Sequence, residues 1–116
     1  MNRSKLNRIA RLCGGLLVAV GVVAPAHATD YIWCVLQDVK DGQTVATYSS
    51  VFAGDWQETQ TYESAFWSFV DSRVGLGVSP SAVCSYEDEY SAARMARDDF
   101  AASHGHDRDV WTDWTY

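Results

Sequence analysis

Tyr31-Ile32-Trp33-Cys34-Val35-Leu36-Gln37-Asp38 is the stretch on which the fold turns. Side chains of a β-strand alternate between its two faces. Ile32, Cys34 and Leu36 therefore share one face, and Tyr31, Trp33 and Val35 the other. Both faces are apolar, which predicts a central strand. Asp41-Gly42 marks a turn, and residues 44–53, TVATYSSVFA, read as a second strand. Two such runs joined by a short loop predict a hairpin.

Working outward, Gly54 breaks the strand pattern. Asp55 with Glu58 three residues on makes a capping box for a helix running to about Arg73, with Thr59 and Thr61 as rival caps. Tyr62, Phe66, Phe69 and Val70 recur at helical spacing as a buried stripe. Glu63, Trp67 and Asp71 fall at i, i+4 and i+8 on a different face, so Trp67 is a candidate exposed aromatic between two acids. Gly75, Gly77 and Pro80 end the helix. Residues 81–87, SAVCSYE, read as a third strand carrying Cys84. Glu87, Asp88 and Glu89 suit the positive end of a second helix over about 88–103. Its buried stripe is Ala92, Ala93, Ala96 and Phe100, its surface pair Arg94–Asp98 and its C′ residue Gly105. Residues 109–115, DVWTDWT, read as a last strand. The order ββαβαβ predicts an α+β two-layer sandwich with a mostly antiparallel sheet.

The N-terminus reads differently. Residues 1–11 carry Arg3, Lys5, Arg8 and Arg11 and no acid; residues 12–24 are apolar and uncharged; Ala26-His27-Ala28 is a small-x-small site. That is the pattern of a secretory signal peptide, expected to be cleaved after Ala28. The apolar run is about 13 residues, short of the roughly 20 that a spanning helix needs, so no membrane insertion is expected after cleavage. Cys13 lies at the start of the apolar run, whereas a lipidated cysteine follows it, so it is expected to be removed with the leader. Residues 29–116 remain as a single compact domain, in the periplasm or outside the cell.

Cleavage changes the charge. Residues 29–116 hold five bases (Lys40, Arg73, Arg94, Arg97, Arg108) and all fifteen acids, a net charge of −10. Such a surface repels phosphate backbones, which excludes nucleic acid, and favours a cationic protein or small cationic ligand. Solubility alone also accounts for acidity in an exported domain. Two cysteines remain, Cys34 and Cys84. An even count in an oxidising compartment predicts one disulfide, which places the first and third strands side by side or on facing layers. A catalytic thiol or a metal pair lacks C-x-x-C spacing.

Phe52-Ala53-Gly54-Asp55, the Tyr62, Phe66, Val70 stripe, Ala82-Val83-Cys84, Ala92-Ala93, Ala96-Arg97-Asp98 and a closing tryptophan together resemble a small secreted α+β module of proteobacteria. The resemblance implies export and a compact α+β fold. It implies no activity and carries over no catalytic residue.

All five tryptophans, six tyrosines and four phenylalanines lie within residues 29–116, more than a small core needs. At least half of the tryptophans are expected to be structural. Trp67, Trp111 and Trp114, with Asp109 and Asp113 beside the last two, are the candidate binding residues: an indole stacks on a sugar ring or on a cationic side chain. The competing chemistry is a metal-dependent or hydrolytic site at His104-Gly105-His106-Asp107. No third histidine follows the leader, and a polar helix end, with His104 at the negative C-terminus of the second helix and His106 starting a solvated turn, is the favoured reading. Ser103, His104 and Asp107 make a triad only on paper, with no G-x-S-x-G turn behind them. Runs such as Glu87-Asp88-Glu89 and Asp98-Asp99 do not supply two carboxyls across a cleft. No phosphate loop, dinucleotide fingerprint or EF-hand pattern occurs, and no cofactor is expected. The expected function is therefore a non-enzymatic binding domain, inhibitor-like toward a basic envelope enzyme, with an envelope structural component as a further option.

Overall fold

The structure, a computed structural model, describes residues 29–116. The expected signal peptide, its cleavage site and Cys13 lie outside the described residues. The elements are β1 (Asp30–Lys40), β2 (Gln43–Tyr48), β3 (Phe52–Gly54), a 3-10 turn (Trp56–Glu58), α1 (Thr59–Arg73), β4 (Ser81–Glu87), α2 (Tyr90–His104) and β5 (Arg108–Trp111). The described residues are α+β, with two helices and one five-stranded, mostly antiparallel sheet. No described helix is long and apolar enough to cross a membrane.

β1 is central, as its two apolar faces predict. It pairs antiparallel with β4 along one side and with β2 and then β3 along the other. β5 pairs with β2 in parallel and forms the far edge. The two apolar faces of β1 are both used. Ile32, Cys34 and Leu36 pack with Tyr62, Phe66 and Val70 of α1. Trp33 and Val35 pack with Ala93 of α2, against which Ala96 and Phe100 also lie. The helices thus take opposite faces, and the sheet lies between them instead of forming one of two layers. Small alanines let α2 approach closely, and Ala93 is fully buried.

The single strand expected over 44–53 is divided. Val35 pairs with Tyr48, but Ile32 pairs with Phe52, so one extra residue sits in the second strand. Ser49 makes the accommodation: its N–H donates to the Cys34 carbonyl at 2.9 Å, and its hydroxyl accepts the Cys34 N–H at 2.8 Å. The bulge reverses the side-chain alternation. Tyr48 points to the α2 face, and Phe52 is delivered to the α1 face.

Cys34 and Cys84 are directly opposed in the β1–β4 register and form the predicted disulfide, with their Cα atoms 4.0 Å apart. Both lie in the core under α1. Asp55 caps the 3-10 turn, accepting from the Gln57 N–H at 2.9 Å, and α1 begins one turn later than a capping box at Asp55 implies. Asp98 meets Arg97 at 3.2 Å instead of Arg94. Gly105 is left-handed (φ 64°), the conformation expected of a C′ glycine.

The loop between α1 and β4 is fixed by one buried carboxylate. Asp38 accepts the backbone N–H groups of Val39 (2.8 Å), Ser79 (3.0 Å) and Gly77. Burial alone raises its pKa, but these three donors and the charge of Lys40 outweigh it and hold the carboxyl below its ordinary value. At Gly77 a Cβ would strike the Val39 carbonyl, so glycine is required for this close approach. Val78 N–H adds a bond to the same carbonyl at 3.0 Å.

Candidate functional site

α1 and the start of β4 enclose an open groove of about 540 Å³. Glu63, Ser64, Trp67 and Ser68 line it from the helix; Pro80, Ser81 and Ala82 line it from the strand side. The i, i+4 spacing places Glu63 and Trp67 on one helix face, turned away from the Tyr62, Phe66, Val70 stripe. Trp67 is 36% exposed, so its ring serves the groove without leaving the fold. Glu63 spans to the strand, where one carboxylate oxygen accepts the Cys84 N–H at 3.0 Å. The lining contains one carboxylate and no basic side chain.

The other predicted binding residues lie elsewhere. Trp111 is 49% exposed and stacks on buried Tyr48 with ring centroids 4.3 Å apart. The Arg97 guanidinium sits over its ring at 5.1 Å. Asp109 accepts the Tyr48 hydroxyl at 3.0 Å. Burial and then this carboxylate push the Tyr48 pKa well above the ordinary tyrosine range. Trp114 packs against Phe52, Phe66 and Phe69 in the α1-face core and is only partly exposed. Asp113 is exposed. Trp67 is therefore separate from Trp111 and Asp109, which sit on the α2 side of the sheet, and Trp114 is mainly a core residue.

The histidine cluster is occupied by structural work. His106 Nε2–H donates to Gln37 Oε1 at 2.9 Å. Its Nδ1 is buried without a hydrogen bond, 3.7 Å from Asp109 Oδ1. His104 Nδ1–H donates to the Phe100 carbonyl at 2.9 Å, and the ring stacks on Phe100. Asp107 accepts the Thr44 N–H at 2.9 Å, and its own N–H donates to the Thr44 hydroxyl at 2.9 Å. These contacts latch β5 to β1 and β2. Among the described residues, no three His, Cys, Asp or Glu side chains gather as a metal set requires.

Helical spacing puts Glu63 and Trp67 on one face and marks Trp67 as exposed, while Glu63 is half-buried. Ser81 and Ala82 are not legible in this way, because only the cross-strand register brings them against α1. Compared with known proteins, the chain matches no family model, no curated protein and no solved structure.

Proposed function

We propose that this protein is a small exported, non-enzymatic binding domain that recognises a cationic protein, such as a basic envelope enzyme of the lysozyme kind, in an inhibitor-like manner. Its place of action is the periplasm or the cell exterior. The observation that carries this reading is the charge distribution of residues 29–116. Exposed acids outnumber exposed bases nine to three, the bases being Arg73, Arg94 and Arg108. The other two bases are engaged within the fold: Lys40 Nζ donates to the Val74 carbonyl at 3.4 Å, and Arg97 donates to the Ser49 carbonyl at 3.1 Å. A net −10 on 88 residues steers cationic partners and repels anionic ones.

Long-range attraction of this kind is screened by salt, with a Debye length of about 30 Å at 0.01 M and about 8 Å at 0.15 M. Calorimetric titration of the exported protein with a cationic lysozyme is expected to show association at low salt. Affinity is expected to weaken at least about tenfold at physiological ionic strength. Absence of association with cationic proteins at low salt contradicts the reading.

A further inference from the structure

We propose that the α1–β4 groove and the outer edge of β4 together dock an extended peptide segment bearing an arginine or lysine, presented by the cationic partner. This inference rests on the binding-domain reading and specifies where that partner is held.

The edge follows from the sheet register. Cys34 directs its backbone N–H and C=O toward Ser49, away from β4. Its opposite residue Cys84 therefore belongs to a non-hydrogen-bonded pair, and the Cys84 backbone groups point outward. Alternation sends those of Ala82 and Tyr86 outward as well. Among the described residues, the Cys84 N–H is met by Glu63, while no strand pairs with β4 on that side. With the Cys84 N–H held by Glu63, the Cys84 carbonyl and the outward groups of Ala82 and Tyr86 are left for strand addition, in which backbone bonds supply affinity and alternate side chains supply selectivity.

The groove supplies the selectivity. Ala82 is both an edge residue and part of the groove lining. A segment paired there places alternate side chains on the α1 face, beside Trp67 and Glu63. The intervening ones meet Val83, which is 47% exposed on the opposite face. Glu63 uses Oε2 for the Cys84 N–H, which leaves Oε1 for a second donor. An indole face beside a carboxylate is a receptor for a guanidinium or ammonium group. The molecule already makes this pairing internally, with Arg97 over Trp111. The three groove serines would also suit a sugar, but the net negative charge and the unpaired strand edge favour a cationic peptide.

The test is an amide-resolved NMR titration of the exported, disulfide-bonded protein at low salt. The probes are the blocked pentapeptide Thr-Val-Arg-Val-Thr, its citrulline analogue and a neutral N-acetylglucosamine trimer. The arginine peptide is expected to shift the Ala82 and Tyr86 amides and the Trp67 indole N–H. Citrulline should bind several-fold more weakly. Glu63→Gln keeps an acceptor for the Cys84 N–H and should weaken the peptide several-fold; Trp67→Ala should weaken it about tenfold or more. Ser68→Trp, which fills the groove from an exposed helix position, should abolish binding while the remaining amides confirm the fold. Peptide binding unchanged in Trp67→Ala and Ser68→Trp overturns the proposal, as do shifts that bypass β4 or a response to the sugar alone. If the peptide fails while the cationic lysozyme still binds with salt dependence, the docking site falls and the binding-domain reading stands. If neither binds, both fall.

Discussion

Removing the Cys34–Cys84 disulfide is expected to cost about 4 kcal/mol, the chain-entropy value for a closed loop of about 50 residues. Such a loss is a large share of the total for a small domain, whose net stability is commonly about 5–15 kcal/mol. The location adds to the effect. Among the described residues β4 pairs with β1 alone, and the two sulfurs join these strands inside the core beneath α1. Without the bond, β4 is the strand expected to separate first, taking the Glu63 contact and the groove wall with it. Denaturant unfolding with and without reductant checks this. A large fall in the midpoint is predicted for the reduced protein and for the double variant Cys34→Ala, Cys84→Ala. An unchanged midpoint would mean that burial alone holds β4 in place.

The second large effect is at Asp38. Asp38→Ala leaves the N–H groups of Val39, Gly77 and Ser79 without their acceptor at the packed end of β1. The expected cost is about 3 kcal/mol, because unmet buried donors cost about 1–3 kcal/mol each and water recovers part of the loss. Asp38→Asn keeps one acceptor oxygen and should cost less. The wild-type protein should also show an acid dependence. The Asp38 pKa is depressed in the folded state, so the unfolded chain binds its proton first as pH falls. The contribution is therefore full above the ordinary carboxylate range near pH 4 and is lost as pH falls through the folded value. Urea midpoints at neutral pH and near pH 3 should differ more for wild type than for Asp38→Ala. Equal acid sensitivity in both would assign the acid loss to other carboxylates.

The parts of this fold legible in the sequence are those written in local spacing. Both faces of residues 31–36 are apolar, and β1 is central. Tyr62, Phe66 and Val70 recur at helical intervals and are the buried residues of α1. The bulge at residues 49–51 is different. Ser49 there replaces a backbone partner for Cys34, fifteen residues away, and no local pattern distinguishes that serine from one in a continuous strand. The split of the two helices between faces depends on the paths of the connections, which periodicity does not encode. For the candidate site, helical spacing marks Trp67 as exposed between acids, but its opposing wall comes from Pro80–Ala82. His106 and Asp107 have the composition of a ligand pair. Their partners, Gln37 and Thr44, lie 69 and 63 residues away in sequence. Only the folded register reveals that they serve as a latch for β5.

The proposed compartment and the net charge of −10 both assume cleavage after Ala28, and the disulfide is the bond that an exported chain is expected to keep. Intact-mass and N-terminal analysis of the protein recovered from outside the cytoplasm tests this directly. The account predicts a chain beginning at Thr29 whose mass is two hydrogens below that of the reduced form. A secreted chain retaining residues 1–28, or one with both thiols free to alkylation, would contradict it.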